Sequence, residues 1–171
     1  MSTALPPVLD AWRAVSAGAR YEGSLPLERL ARLMPSLVDA EGKVDYVVQF
    51  GRDALEQAYV ELAVKARLPM QCQRSLERYL QPVELVQRLG LITREAQEAA
   101  LPEGTEPLLL EGTAELNPAE LIEDELILAL PVVPIDPEAD ELAAEWPAEV
   151  DAPDDKPNPF AALAALKDRN K

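Results

Sequence analysis

The stretch YVELAVKARL at residues 59–68 decides the fold, because strongly apolar side chains occupy every second position along it. A period of two places neighbouring side chains on opposite faces of a β-strand, so this stretch predicts a strand with one buried face. The stretches at 43–50 and 79–92 alternate in the same way. Together, the three runs predict an antiparallel meander whose second face is exposed to water.

The segments that follow the strands are predicted to be irregular, with one further short strand. Residues 69–76 are interpreted as a polar connection that carries Cys72. After a loop at 101–106, residues 107–110 are apolar enough to add a fourth strand at an edge of the sheet.

Two short helices are predicted before the sheet. In residues 8–18 the apolar side chains fall on one helical stripe, and Gly18 is the expected stop. Residues 19–23 are predicted to be extended. In residues 24–35, leucines recur at three- and four-residue spacing between two prolines, which predicts the second helix.

A third helix is predicted to begin after Asn117 and to run to about Leu130. Asn is a good cap, Pro118 suits the first helical turn, and Glu120 can complete a capping box. We expect this helix to turn its apolar side chains inward and two acidic side chains toward water. The inward set is Leu121, Ile122, Leu126, Leu128 and Ala129, and the outward pair is Glu123 and Asp124.

The predicted fold class is therefore α+β, with an antiparallel sheet that could curl into an open barrel, short N-terminal helices and one C-terminal helix. We expect this domain to span residues 1–135. Residues 136–156 are rich in acid, proline and alanine and are predicted to form a disordered linker. Residues 157–171 are predicted to carry a separate motif around Asn-Pro-Phe.

The chain has a net charge of −15, and most of this charge lies in its C-terminal part. Residues 1–100 hold 12 basic and 13 acidic side chains, whereas residues 101–171 hold 4 and 18. No Lys or Arg occurs from Leu101 to Asp155. Such a segment repels phosphate groups, and it suits a basic protein surface or, as the alternative, serves only as a solubilising tail.

The composition disfavours several classes of protein. The longest strongly apolar stretch, 126–135, contains two prolines and is too short for a bilayer span of about 20 residues. Residues 1–10 show no basic region followed by an apolar block, so no secretory signal is predicted and a cytoplasmic location is expected. With no His and one Cys, the chain lacks a conventional zinc set, and neither a metal nor another cofactor is predicted.

Four cations on one predicted strand and its connecting turn are candidates for contact with RNA. They are Lys65, Arg67, Arg74 and Arg78, and they lie close in sequence to Tyr59 and Tyr79. Guanidinium groups can bind phosphates and aromatic rings can stack on unpaired bases. The alternative is that these cations form the ordinary solvated face of a sheet.

Two other features have weak catalytic interpretations. The carboxylates of the third helix could hold a metal ion, but neighbouring positions on one helix point in different directions, which favours a solvated helix face. Cys72 could act as a nucleophile, but the chain has no His to activate a thiolate, which favours a structural thiol.

An apolar stripe near the C terminus has no core of its own to join. It consists of Phe160, Leu163 and Leu166, each three residues from the next. The stripe could fold back on the domain or dock as a short helix in the groove of a partner. The acidic pair Glu123 and Asp124 is a second candidate for partner binding.

Three stretches resemble the proteobacterial YceD family. They are LIEDELILALPVVP at 121–134, KPNPFAALAALK at 156–167, and MQCQR at 70–74, which is similar to that family's C-x-R-C region. The resemblance covers essentially the whole chain. The second cysteine of the family pattern is Ser75 here, so a metal is not carried over by analogy.

The resemblance implies a role in the synthesis, processing or stability of 23S ribosomal RNA, without an assigned enzymatic activity. We expect a non-enzymatic adaptor in large-subunit biogenesis that binds a basic ribosomal protein or a pre-ribosomal particle, with no membrane association. It would reach 23S ribosomal RNA or its precursor directly or through that partner. The alternatives are a direct RNA-binding module using the basic sheet face, and an RNA-processing enzyme, for which no active constellation is found in the sequence.

Overall fold

The computed structural model describes residues 5–110, 112 and 114–138, which belong to the first of two compact units, Met1–Ala139. The second unit, Asp140–Lys171, lies outside the described residues. The predicted C-terminal motif and nearly all of the predicted linker also lie outside them, so their boundaries remain predictions.

Within the described residues the chain forms seven strands, two α-helices and three 3-10 segments. The strands are β1 (Leu9–Asp10), β2 (Arg20–Pro26), β3 (Lys43–Arg52), β4 (Ala58–Gln71), β5 (Arg78–Ile92), β6 (Glu106–Leu109) and β7 (Glu115–Leu116). The helices are α1 (Ala11–Ala17) and α2 (Pro118–Leu128), and the 3-10 segments are Leu27–Arg29, Met34–Ser36 and Glu95–Ala100.

Five of these described strands form one open sheet in the order β2-β3-β4-β5-β6. The pairings from β2 to β5 are antiparallel, as the alternating pattern predicts, whereas β6 pairs parallel to β5. β2 and β6 are the two edges of the sheet, so it does not close into a barrel. β1 and β7 form a separate antiparallel pair that joins Leu9 to Leu116.

The core lies on one face of the sheet. On β4, the side chains of Val60, Leu62 and Leu68 are fully buried, in the alternation seen in the sequence. The same buried cluster includes side chains from α1, from the segment after β2 and from α2, which therefore cover this face. The strand continues through residues 69–71, so the prediction of a polar connection there is wrong; Pro69 pairs with Leu80 in the ladder.

The predicted first helix is confirmed at its end. Gly18 terminates α1 in the left-handed region at φ 56°, which a glycine adopts without steric cost. The start is later than predicted, because Asp10 caps the helix by accepting a hydrogen bond from the backbone N–H of Arg13 at 2.9 Å.

The predicted second helix is wrong. Residues 20–26 pair with β3 as an edge strand, and only two 3-10 segments follow, Leu27–Arg29 and Met34–Ser36. The leucine spacing of three matches the period of a 3-10 turn, and Leu27, Leu30 and Leu33 are all buried. In residues 24–26, pairing with β3 therefore overrides the helical pattern of the sequence.

The predicted third helix is confirmed as α2, although Leu128 ends it slightly early. The Asn117 side chain accepts a hydrogen bond from the backbone N–H of Ala119 at 3.1 Å and donates one to the Glu120 carboxylate at 2.9 Å. This is a side-chain version of the predicted capping box. No helix in the described part of the chain is long and apolar enough to cross a membrane.

Candidate functional site

Three members of the predicted basic set, Lys65, Arg67 and Arg78, share the solvent face of the sheet, and Lys65 and Arg78 are bound by carboxylates. Lys65 on β4 lies 3.1 Å from Glu84 on β5. Arg78 at the start of β5 donates to Asp39 at 2.7 Å and also contacts Glu41 at 3.3 Å. The pKa of Asp39 is lowered, first by the hydrogen bond from Arg78 and then by the backbone N–H of Glu41. These two cations are therefore partly neutralised within the fold.

A polar ladder across the solvent face includes one of these pairs. Ser24, Asp45, Lys65 and Glu84 are successive register partners on four strands. The Ser24 hydroxyl donates to Asp45, and this bond, together with Lys43, lowers the pKa of Asp45. Opposite charges therefore alternate across the sheet, an arrangement that stabilises cross-strand pairing.

Arg67 differs from its neighbours on this face. Its side chain is exposed, and it forms no ion pair with any residue in the described part of the chain. It lines a shallow depression of about 420 Å³ together with Lys43, Lys65, Arg78 and Leu80. Arg74 lies in the β4–β5 turn and is also exposed.

Neither tyrosine near this set in sequence is placed to stack on a base beside it. Tyr79 is opposite Met70 on the core face and is buried. Tyr59 is at the far end of β4 from Arg67, and Arg88 covers its ring at 4.2 Å from the centroid. Arg88 also binds Glu61 at 2.8 Å. The sequence interpretation missed Arg88, although its position on β5, directly opposite Glu61, could have indicated the pair.

Cys72 is buried at the end of β4 and fastens the segment that follows α2. Its sulfur accepts hydrogen bonds from the backbone N–H groups of Asp136 at 3.3 Å and Ser75 at 3.5 Å. The backbone N–H of Gln73 donates to the carbonyl of Pro134 at 2.9 Å. The bond from Asp136, followed by those from Ser75, lowers the pKa of Cys72 to about 7. The turn therefore uses the Cys72 sulfur as a structural hydrogen-bond acceptor.

The prediction that Glu123 faces water is wrong, because the residue is only 6% exposed. Its oxygens accept hydrogen bonds from the backbone N–H groups of Arg32 at 2.6 Å and Leu33 at 3.1 Å, and from Arg32 Nε at 3.2 Å. These N–H groups belong to the segment between the two 3-10 turns, and the Leu33 N–H also donates to the carbonyl of Leu30 at 3.2 Å. Glu123 therefore links that segment to α2, and we call its contact with Arg32 and Leu33 the Glu123 clasp.

Asp124 is half-buried and takes part in the same clasp. Its carboxylate binds Arg32 Nη1 at 2.6 Å, and Arg32 Nη2 donates to the carbonyl of Glu120 at 3.2 Å. Both members of the acidic pair predicted to bind a partner thus already bind Arg32. Their role toward a partner remains a prediction, as does that of Phe160, Leu163 and Leu166, which lie outside the described residues.

The described residues do not assemble an evident metal site. Between residues 5 and 138, apart from the two that are not described, no three His, Cys, Asp or Glu side chains gather in a way that could hold a metal ion. The charged side chains described above are instead paired across the sheet or, on α2, bound to Arg32. The described part of the molecule is thus an α+β domain with an open five-stranded sheet, a separate two-stranded pair, and a helix, α2, that is bound to Arg32.

The chain belongs to the family described as "Large ribosomal RNA subunit accumulation protein YceD", which matches residues 60–167. It is 32% identical over 167 residues to a protein of that name from Haemophilus influenzae, and the match covers 95% of this chain and 94% of the relative. The resemblance inferred from residues 121–134 and 156–167 is therefore confirmed. No solved structure matches the chain significantly.

Proposed function

We propose that the protein is a non-enzymatic factor in the accumulation of 23S ribosomal RNA, acting in the cytoplasm during biogenesis of the large ribosomal subunit. The descriptions of the family and of the Haemophilus influenzae protein support the ribosomal RNA part of this proposal. We further propose that it acts as an adaptor, which binds a basic ribosomal protein and reaches the RNA through that partner.

The observation that carries the adaptor proposal is that cations on the sheet are paired within the chain, whereas some carboxylates near α2 are not paired with any described residue. Lys65 and Arg78 are bound by carboxylates of the same chain, so contact with phosphate would have to break existing pairs. In contrast, Glu106 on β6 and Glu125 on α2 form no ion pair with any described residue. No Lys or Arg follows Arg94 until Lys156, so a basic partner is a suitable source of cations for Glu106 and Glu125.

Purified components can test this proposal. The full chain would be mixed with large-subunit ribosomal proteins freed of RNA and, separately, with protein-free 23S ribosomal RNA, each at low and high salt. We expect capture of one or more ribosomal proteins that survives nuclease treatment, and weak, strongly salt-dependent binding to the RNA. Tight binding to the RNA with no capture of any ribosomal protein would contradict the adaptor proposal.

Direct RNA binding is a second candidate, and the position of Arg67 favours it. This side chain has no carboxylate partner among the described residues and lies beside Lys43, Lys65 and Arg78 in one depression. A single-stranded RNA could place a phosphate there at the cost of competing with Asp39, Glu41 and Glu84. Because only a few phosphates would be neutralised, we expect the affinity to be low.

A matched pair of substitutions separates the two candidates. Arg67→Gln removes a cation from the sheet face, and Arg29→Gln removes an exposed cation from the 3-10 segment Leu27–Arg29. If the sheet face binds RNA, Arg67→Gln lowers the affinity for 23S ribosomal RNA and the salt dependence, whereas Arg29→Gln does not. Equal effects of the two substitutions would mean that only net charge matters.

A further inference from the structure

The C-terminal end of α2 leaves three apolar side chains in water. Leu128 is 74% exposed, Val132 is 98% exposed and Val133 is 54% exposed. Single exposed apolar residues are common, but here three lie within six positions of the chain, and we call them the apolar patch. The sequence pattern predicted Leu128 to point inward, and its exposure corrects that prediction, together with the exposure of Ala129.

Helix geometry explains why Leu128 leaves the core. At 3.6 residues per turn it is rotated by about 200° from Leu126, which is fully buried. Leu128 instead follows Asp124 by four positions and Glu125 by three, so these side chains lie on the same side of the helix. Leu128 therefore adjoins two carboxylates.

The carboxylates beside the patch repel one another. The pKa of Glu125 is raised by burial, by the charge of Glu106 on β6 and by the charge of Asp124. Asp124 binds Arg32, but Glu106 and Glu125 form no ion pair with any described residue. Among the described residues, Glu106 and Glu125 thus lie with like charges nearby and without a cation paired to either of them.

We propose that Leu128, Val132 and Val133, together with Glu106 and Glu125, form an interaction surface for a cationic protein segment that carries apolar side chains. We call it the α2-end surface. The proposal rests on the proposed adaptor function and deepens it by naming the face that binds the basic partner. Lysine or arginine side chains of the partner would meet the two carboxylates, and its apolar side chains would cover Leu128 and Val132.

Charge decides among the possible occupants of this surface. A second copy of this chain would bring another set of carboxylates to the same place, and the whole chain carries a net charge of −15. Nucleic acid and anionic lipid would be repelled for the same reason. A basic protein segment is the occupant whose charge complements the surface, and such complementarity mainly favours specificity and fast association.

The surface can be probed with short labelled peptides on the full chain. The main probe alternates lysine and leucine; one control peptide has serine for leucine, and a second has glutamate for lysine. The test variant carries Leu128→Ser and Val132→Ser. The matched control variant is Leu55→Ser, which removes a side chain that is 78% exposed in the β3–β4 turn, between Asp53 and Glu56.

We expect the lysine–leucine peptide to bind the wild type, and the double variant to bind it at least about tenfold more weakly, the loss of 1.4 kcal/mol expected when anchors are truncated. The Leu55→Ser variant should bind within about twofold of the wild type, because its turn is not a predicted anchor. Val132→Ser alone changes a nearly fully exposed side chain and should leave the fold intact. Weaker binding by this variant would therefore not be due to unfolding. Equal affinities of all variants would overturn the proposal.

A capture experiment with large-subunit ribosomal proteins freed of RNA tests the surface and the adaptor function separately. If the wild type and the double variant capture the same ribosomal protein equally well, the adaptor function stands and the α2-end surface is wrong. If the wild type binds the lysine–leucine peptide through Leu128 and Val132 but captures no ribosomal protein, the surface stands and the adaptor function is wrong.

Discussion

The solvent face of the sheet and the end of α2 use charge in opposite ways. On the sheet, Lys65 is opposite Glu84 and Arg88 is opposite Glu61, so cations and carboxylates neutralise one another across strands. On α2, Glu125 lies near Glu106 and Asp124, and its pKa is raised by burial and by their charges. A charged residue in a sequence therefore indicates a partner only where the fold does not already use that charge.

The largest expected effect comes from breaking the contact between Glu123 on α2 and the Arg32–Leu33 backbone. Glu123→Ala removes the acceptor of the Arg32 and Leu33 backbone N–H groups, and we expect it to lower the free energy of unfolding by about 3 kcal/mol. Asp124→Ala, at a half-buried position, should cost less than about 1 kcal/mol. Urea denaturation of the full chain measures both. Equal costs would mean that Glu123 behaves as a surface charge.

The next effect concerns the C-terminal stripe, which lies outside the described residues. If Phe160 is an anchor, Phe160→Ala should weaken capture of a ribosomal protein by about 30-fold, the loss expected for a hot spot of about 2 kcal/mol. Arg67→Gln on the sheet face should leave capture unchanged. The comparison between regions breaks down if Arg67→Gln weakens capture and Phe160→Ala does not.

A pH titration tests the hydrogen bonds that join Cys72 to the segment after α2, because these depend on an ionisable thiol. The Cys72 pKa is lowered from 9.0 to about 7, so between these values the unfolded chain binds the proton that the folded chain has lost. The stability supplied by Cys72 is therefore present at high pH and is lost as the pH falls through about 7. Thiolate absorbance should show this midpoint, and Ser75→Ala should raise it, because the side-chain hydrogen bond of Ser75 also lowers the Cys72 pKa. A midpoint at the ordinary value would contradict the proposed role of the Asp136 and Ser75 bonds.

The smallest effect is expected on the sheet itself. A double-mutant cycle with Arg88→Gln and Glu61→Gln should give a coupling energy of about 0.2 to 1 kcal/mol, because both side chains are partly exposed. High salt should reduce it further. A coupling as large as the cost of Glu123→Ala would remove the difference between the two regions.

Local patterns predicted the parts of this fold that depend on local chemistry. The alternation in residues 59–68 predicted β4, Gly18 predicted the end of α1, and Asn117 predicted the start of α2. Each signal comes from neighbouring positions on one element. Tertiary contacts then pack these elements together but do not change a strand into a helix or a helix into a strand.

The errors arose where distant residues compete for the same segment. Residues 24–26 joined β2 because β3 supplies a strand partner, which no local pattern reveals. Glu123 was predicted to face water because an acidic residue on a helix usually does so, but Arg32 and Leu33, about 90 positions earlier, provide donors. The parallel direction of β6 likewise depends on how the 3-10 segment Glu95–Ala100 returns the chain.

Prediction of the candidate site was limited by the same cause. The alternation put Lys65 and Arg67 on the solvent face correctly, but it could not show that Glu84 holds one and that no described carboxylate holds the other. Leu128 was assigned inward because it is apolar, although its helical angle places it with Asp124 and Glu125. Angular position on α2 was the signal that could have revealed the α2-end surface.

The pairing of β1 with β7 has a consequence for the order in which the chain folds during synthesis. The meander from β3 to β5 contains its own partners and can form as soon as residue 92 is available. Leu9 must wait for Leu116, and Arg32 must wait for Glu123, 91 positions later. Contacts between such distant residues form slowly, because a long loop must close first. A nascent chain that stops before α2 therefore leaves exposed the part of the core that Leu121, Ile122 and Leu126 complete.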